Sequence, residues 1–190
     1  TALAAFPAAV RSVLRRLPLQ TGRLEAEEVD VLCGAMHLPP RGLALALLPL
    51  ARAFSRPELS GFQVGAVALA AVVGDTADGR PEAQKTALFL GANLEFGGLP
   101  LYHTIHAEQA ATLNAWQAGA HRLQALAVSA PPCGVCRQFL MEIADGHDLE
   151  VLIAPVQGAC RSTRLKDLLP ASFGPADLNM QDRLKNDRLF

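Results

Sequence analysis

Apolar positions recur with helical spacing over the first quarter of the chain and take on a strand-like texture from residue 62. Phe6, Val10, Val13, Leu14 and Leu17 form one periodic set, Glu25 to Met36 carries a second, and Leu43 to Phe54 a third. Pro18, Pro39, Pro40 and Pro57 punctuate these stretches, so residues 4–54 are expected to be helices only. From Phe62, FQVGAVALAAVV is an apolar run of β type closed by GDTADGRP, and KTALFLGAN follows as a second. The two read as a hairpin whose polar connection, roughly 74–84, is an exposed loop without catalytic duty. Beyond it the pattern predicts a helix over about 105–118, a strand over 125–129, a helix over 134–144 and a strand over 149–154. Strands alternating with helices predict a layered α/β sandwich. After Thr163 come a short apolar stretch, LKDLLP, and then FGPADLNMQDRLKNDRLF, which has the composition of a linker. No internal repeat is present.

Composition narrows the functional classes. A chain of 190 residues with 51% hydrophobic content suits one principal domain with a small appendage. Seventeen basic against eighteen acidic residues give a formal charge of −1, and no basic run offers a phosphate-tracking stripe. Only 5% of residues are aromatic, which argues further against a nucleic-acid partner. Cys33, Cys133, Cys136 and Cys160 are too few for a disulfide scaffold, and a C-x-x-C fits a reducing compartment. The start, TALAAFPAAVRSVLRRLPLQ, is broken by Pro7, Arg11, Arg15 and Arg16, so neither a signal peptide nor a spanning segment is expected. The expectation is a cytoplasmic protein with no membrane partner.

The chemistry is concentrated in HAEQAATLNAW and PPCGVCRQF, with twenty-six residues between His106 and Cys133. His106 offers an imidazole nitrogen, while Cys133 and Cys136 stand three apart at a helix start, where both sulfurs can reach one metal. The positive end of that helix is expected to favour thiolate over thiol. Three ligands leave a tetrahedral zinc one open position, the arrangement of a catalytic site. Glu108, two residues past His106, is a poor fourth ligand but a suitable proton acceptor. Zinc with two thiolates and a neutral imidazole sums to zero charge, whereas a three-histidine site keeps +2. A carboxylate base is therefore more necessary here. Two alternatives stand beside this reading: a closed structural zinc site whose fourth ligand is Cys160 or another histidine, and a redox C-x-x-C. Arg137 either donates to a thiolate or is a solvated helix arginine. His37, His103, His121 and His147 read as surface histidines, Cys33 as helix packing and Cys160 as a loop thiol.

Those two motifs are the zinc deaminase signature, H-x-E with P-C-x-x-C. With SGFQVGA, GANLEF and FGPADL they span Ser60 to Leu178 and resemble the bacterial cytidine deaminases, in the long form with a helical N-terminal extension. The resemblance implies an α/β fold, a three-layer α/β/α sandwich with a mixed central sheet, preceded by a small all-helical N-terminal extension. It implies that 1–57 is that extension, 58–172 the zinc-dependent catalytic domain, and 173–190 a tail or linker toward a C-terminal domain absent from this chain. The implied function is hydrolytic deamination of cytidine and deoxycytidine, releasing ammonia, in pyrimidine salvage. One Zn²⁺ per chain would be held by His106, Cys133 and Cys136 and would activate water, with Glu108 as proton shuttle. Asn93 and Glu95 would bind the sugar hydroxyls, Phe62 and Phe173 would pack on the pyrimidine, and the Ala107 backbone N–H would meet the base carbonyl. The implied partners are a small-molecule nucleoside and a second copy of the chain, as a homodimer whose subunits close each other's sites. A non-catalytic zinc domain, or a deaminase of another base or nucleotide, is the alternative. The sequence departs from the family pattern in a longer 74–84 connection, in extra residues near Val156 to Ser162, and in Pro131, where the family has Thr. The backbone carbonyl at Pro131 remains an acceptor for the departing ammonia.

Overall fold

The computed structural model describes residues 2–17, 21–72, 84–143 and 145–178. Its frame follows from β2 (Gly65–Val72) and β3 (Lys85–Ala92), which pair antiparallel from Gly65 opposite Ala92 to Val72 opposite Lys85. This is the expected hairpin, and its connection, 73–83, lies outside the described residues. Successive side chains of a strand point to opposite faces. One face therefore carries Val67, Leu69, Leu88 and Leu90, and the other carries Ala66, Ala68, Ala70, Ala87 and Phe89. Both faces are buried, which is why the run reads as continuously apolar.

The hairpin sits inside a mixed six-stranded sheet with β1 (Arg23–Leu24), β4 (Arg122–Val128), β5 (Glu150–Ile153) and β6 (Arg161–Arg164), in the order β1-β3-β2-β4-β5-β6. β2 pairs antiparallel with β4 (Arg122–Val128), and β4 runs parallel to β5 (Glu150–Ile153). The helical face-covering is unequal in character. On the leucine-rich face lie α1 (Ala8–Leu14), α2 (Ala26–Met36) and α3 (Pro40–Arg52), whose Leu14, Leu32, Leu43 and Leu47 are buried with Val67 and Leu88. Of the helices expected as an N-terminal extension, α2 and α3 are thus packed directly on the sheet as one outer layer of the sandwich, and α1 packs against α2. On the alanine-rich face lie α4 (Ala107–Gln117), α5 (Gly134–Met141) and the single turn α6 (Leu165–Leu168). Among the described residues no single helix is long and apolar enough to cross a membrane. α2 and α3 are apolar enough together, but they are bent by 93° at their break and their apolar faces are in the core.

Small side chains let α4 come close. A Cβ on Gly91 of β3 would fall on the Ala107 carbonyl oxygen and the Ala111 backbone nitrogen, so only glycine admits the helix at this distance. Gly91 pairs with Ala66, and Ala66 with Val128, so one row across the sheet links the start of α4 to the end of β4. The chain leaves β4 there and enters α5 at Cys133, which brings two helix N-termini to the same end of the sheet.

Two strands depart from expectation. β1 (Arg23–Leu24) pairs antiparallel with β3 inside the segment expected to be all helical. Two residues are too few to show a period, and the pairing exists only because Phe89 and Leu88 stand opposite. β6 (Arg161–Arg164) lines the far edge against β5, where a surface loop and tail were expected. Its sequence, RSTR, is polar at every position because an edge strand there exposes its side chains, so no alternation marks it. The following Leu165 is fully buried, which anchors LKDL as α6 rather than as tail. Most of the expected linker, 179–190, lies outside the described residues. β4 begins at Arg122, three positions earlier than expected, and α5 ends at Met141.

Candidate active site

His106 is the residue that caps α4, with extended backbone at φ −83° and ψ 153°. Its N–H donates to Gln109 Oε1 at 3.1 Å, which holds the entry of the chain into the helix. Cys133 occupies the equivalent position before α5, and Cys136 lies one turn on, fully buried. The His106, Cys133 and Cys136 donor atoms all lie within 4.8 Å of one another, and Cys133 Sγ is 3.5 Å from His106 Nδ1. Among the described residues no other group of three such donors comes together. Cys160 is exposed and free, and it stands outside the cluster, so the expected alternative of a closed site through Cys160 finds no support in the geometry. A C-x-x-C redox pair alone would leave the imidazole beside the sulfur unexplained.

Glu108 points into the same place and is 4% exposed. Burial pushes its carboxyl up from the ordinary range, and its own backbone N–H, Cys136 and His106 pull it partly back. Its own carbonyl accepts from Thr112 Oγ1 at 2.8 Å. Cys136 corrects one expectation. Burial first, and then the negative charges of Glu108 and Cys133, push its thiol up, opposite to the lowering expected from the helix start. Desolvation outweighs the dipole because the sulfur is wholly enclosed. Two sulfurs and a carboxylate crowded together call for a cation, and a His-Cys-Cys set of this spacing suits zinc. The residues present therefore fit that metal.

Arg137 takes neither expected role. Its Nε donates to the Pro132 carbonyl at 2.8 Å and its Nη1 to the Leu168 carbonyl at 3.0 Å, so it ties the turn before Cys133 to α6.

The five residues expected around a substrate are placed unequally. Asn93 is buried with its oxygen fully engaged: Oδ1 accepts from the Val64 N–H at 2.8 Å and from Ser55 Oγ at 2.5 Å, while Nδ2 donates one of its two hydrogens to the Phe62 carbonyl at 2.9 Å. Glu95 is 4% exposed and accepts from the Leu59 and Ser60 N–H groups at 2.7 and 2.8 Å and from Ser60 Oγ at 2.5 Å. Ser60 Oγ, first of these, lowers the Glu95 carboxyl against the desolvation that opposes it, and the two N–H groups add to the lowering. Between Asn93 and Glu95, Leu94 exchanges backbone hydrogen bonds with Ile105, the neighbour of His106, at 2.9 and 3.0 Å. The pair is thereby tied to the metal-site helix. Phe62 is 62% exposed and forms a wall of a cleft of about 320 Å³ with Arg52, Gln63, Ser129, Pro131 and Val156. Pro131 leads through Pro132 directly into Cys133. Ala107 is fully buried as the first residue of α4. Phe173 is exposed and lies outside the cleft lining, although its carbonyl accepts from Gln138 Nε2 on α5 at 3.0 Å.

Sequence reasoning missed Ser55, Ser60 and Gln109 as parts of the site. Ser60 opens SGFQVGA and Gln109 closes HAEQ, so both lay inside the motifs, but serine and glutamine carry no signal of their own until their partners are known.

The fold and the donor set define a metal-binding α/β domain with its site between two helix N-termini. Residues 43–148 match the family model described as "Cytidine and deoxycytidylate deaminase zinc-binding region". The cytidine deaminase of Shewanella amazonensis is 40% identical over 159 residues, covering 84% of this chain and 48% of that protein. That of Pectobacterium carotovorum is 37% identical over 185 residues, covering 96% and 57%. Among solved structures, cytidine deaminase from Burkholderia pseudomallei aligns with a TM-score of 0.54 at 32% identity, covering 69% of this chain and 97% of that one. The chain belongs to the cytidine and deoxycytidylate deaminase family, and its matched region is a zinc-binding domain of that family. It spans about half the length of the curated relatives it matches.

Proposed function

We propose that the chain carries the site for hydrolytic deamination of cytidine and deoxycytidine to uridine and deoxyuridine, with release of ammonia. The observation that carries this reading is one juxtaposition: three metal donors within 4.8 Å of one another, with the buried carboxyl of Glu108 beside them and outside the donor set. Its chemistry matches the relatives' printed activity.

His106, Cys133 and Cys136 would hold one zinc per chain. Zinc bound there supplies a Lewis acid that makes water nucleophilic at neutral pH. Glu108 handles the protons. It takes one from the water that attacks C4 of the pyrimidine, passes it to N3, and a second transfer carries a proton to the amino group as it departs. Water adds, ammonia leaves, and the atoms balance. Its nearly dry surroundings suit a group that must hold a proton and give it up again. The Ala107 N–H, which as the first of α4 has no partner within the helix, is the donor for the base carbonyl. Phe62 faces the pyrimidine from the cleft wall, and Phe173 approaches from the α5 side. Asn93 and Glu95 take the sugar hydroxyls with the hydrogen-bonding capacity that Ser55, Ser60 and the backbone leave over.

The domain reading that goes with this is a catalytic unit over 58–172 with the helices of 1–57 as its covering layer. A homodimer is supported by Leu94, Phe96, Leu99, Leu101, Tyr102 and Ile105, which are exposed along one stretch between Asn93 and His106. A second copy on that stretch would enclose the site. The cytoplasm suits a donor set that needs reduced sulfur. Loss of ultraviolet absorbance from cytidine, deoxycytidine, dCMP, cytosine and adenosine tests the reading. Turnover confined to the two nucleosides of cytosine supports it. Silence on all five, with zinc bound, would mean a non-catalytic domain.

A further inference from the structure

We propose that Ser60 is a positioning residue that locks Glu95 and Phe62 into one unit, so that the sugar-facing carboxylate and the base-facing ring are set together. The inference rests on the function proposed above for the roles of Glu95 and Phe62, and on the structure for their coupling.

The Ser60 hydroxyl does two things at once. It donates to Glu95 Oε1 at 2.5 Å and accepts from the Phe62 N–H at 3.0 Å. Gly61 makes this reversal possible, since its φ of +67° is a conformation that side chains resist. The Phe62 carbonyl is taken in turn by Asn93 Nδ2 at 2.9 Å. Both backbone polar groups of Phe62 are therefore held by side chains, and neither by a sheet partner. The ring itself is 62% exposed, so packing does little to place it. Its position in the cleft wall is set through the backbone, by Ser60 on one side and Asn93 on the other.

The same hydroxyl decides which Glu95 oxygen remains available. Oε2 already accepts two backbone N–H groups, from Leu59 and Ser60. Among the described residues Oε1 accepts only Ser60 Oγ, so the spare acceptor capacity of the carboxylate lies there. A ligand hydroxyl on Glu95 would share Oε1 with Ser60. Moving Ser60 would disturb the sugar contact and the ring in one event.

The test compares wild type with Ser60→Ala, Ser60→Thr, Phe62→Ala and the double variant Ser60→Ala/Phe62→Ala, all in the full chain. Two measurements are made: amide hydrogen exchange at Phe62, and kcat and KM for cytidine. Ser60→Ala is expected to lose protection at the Phe62 amide and to raise KM about fivefold to tenfold, the size of one lost hydrogen bond, with kcat less affected. Zinc content should stay at its wild-type value, while the thermal midpoint at neutral pH should fall modestly, because the main bond that lowers the Glu95 carboxyl is lost. Ser60→Thr keeps the hydroxyl at an exposed position and should restore both readouts. The double variant should lose less than the sum of the two single losses, because the part of the Ser60→Ala effect that acts through the ring is already gone, while the Glu95 part remains. Unchanged exchange in Ser60→Ala, lost protection with unchanged KM, failure of Ser60→Thr to rescue, or additive losses would each overturn the coupling. A wild-type chain inactive on every nucleoside would instead overturn the proposed function, and the exchange data would still decide whether Ser60 holds Phe62.

Discussion

Cys133 Sγ and His106 Nδ1 stand 3.5 Å apart although 27 positions separate them in the chain. The aligned row Gly91, Ala66 and Val128 explains the meeting, because α4 starts against Gly91 and Cys133 follows Val128 by five positions. The donors are mounted on two helix ends whose separation the sheet dictates.

Gly91→Ala is therefore expected to damage the site from a distance. The added methyl would meet the backbone of Ala107 and Ala111 and push α4 outward, at a cost of about 1–3 kcal/mol. Thermal unfolding should show a lowered midpoint, and competition with a chromogenic chelator should show weaker zinc retention. Gly34→Ala is the control. That glycine lies inside α2 with nothing within 4 Å of an added Cβ, so the same change should stabilise by about 0.4–1 kcal/mol and leave zinc affinity alone.

Zinc should be part of the folded state's stability. Stripping the metal with a chelator is expected to lower the thermal midpoint, by an amount equivalent to about 4 kcal/mol when free metal had been held at a thousand times its dissociation constant. Cys136→Ala should lose the metal and show no further drop on chelation. Cys160→Ala, exposed and outside the donor cluster, should behave as wild type in both measurements.

The acid limb of stability should respond to Glu95. Its carboxyl is held below the ordinary glutamate range, chiefly by Ser60 Oγ. A depressed native pKa contributes stability that is present above the unfolded-state value and is lost as pH falls through the native one. Urea unfolding of Glu95→Gln against wild type should thus show a gap near pH 7 that shrinks on acidification below about pH 4. A gap that is constant or grows toward acid would contradict the assignment.

The legible parts of this protein were those with a local period or a fixed spacing. The hairpin of β2 and β3, the start of α4 at His106 and the start of α5 at Cys133 were all expected near where they stand. H-x-E and C-x-x-C are readable because they encode helix-start geometry, which needs only neighbouring residues. β1 and β6 were not readable, since a two-residue pairing and a polar edge strand depend on what lies opposite them. The direction of the Cys136 shift went the other way because burial, a tertiary property, outweighs the helix end. Asn93 and Glu95 were recognisable as polar groups of the site, but their first partners, Ser55 and Ser60, come from a segment more than thirty positions earlier.

The leucine-rich face carries a prediction for the N-terminal helices. Leu47 of α3 is fully buried against the sheet side that holds Val67 and Leu88. Leu47→Ala should cost about 2–5 kcal/mol. If α1 to α3 are a layer of one sandwich, the variant should unfold in one transition at a lower midpoint. Two separate transitions would instead make the helices an independent unit.

The central claim is that three residues hold zinc while a fourth, Glu108, moves the proton without being a ligand. Zinc stoichiometry and cytidine turnover, measured together on Glu108→Gln, test it most directly. The expected result is one zinc per chain, as in wild type, with turnover reduced by at least about a hundredfold. Zinc lost with the carboxylate, or turnover left intact with zinc bound, would contradict it.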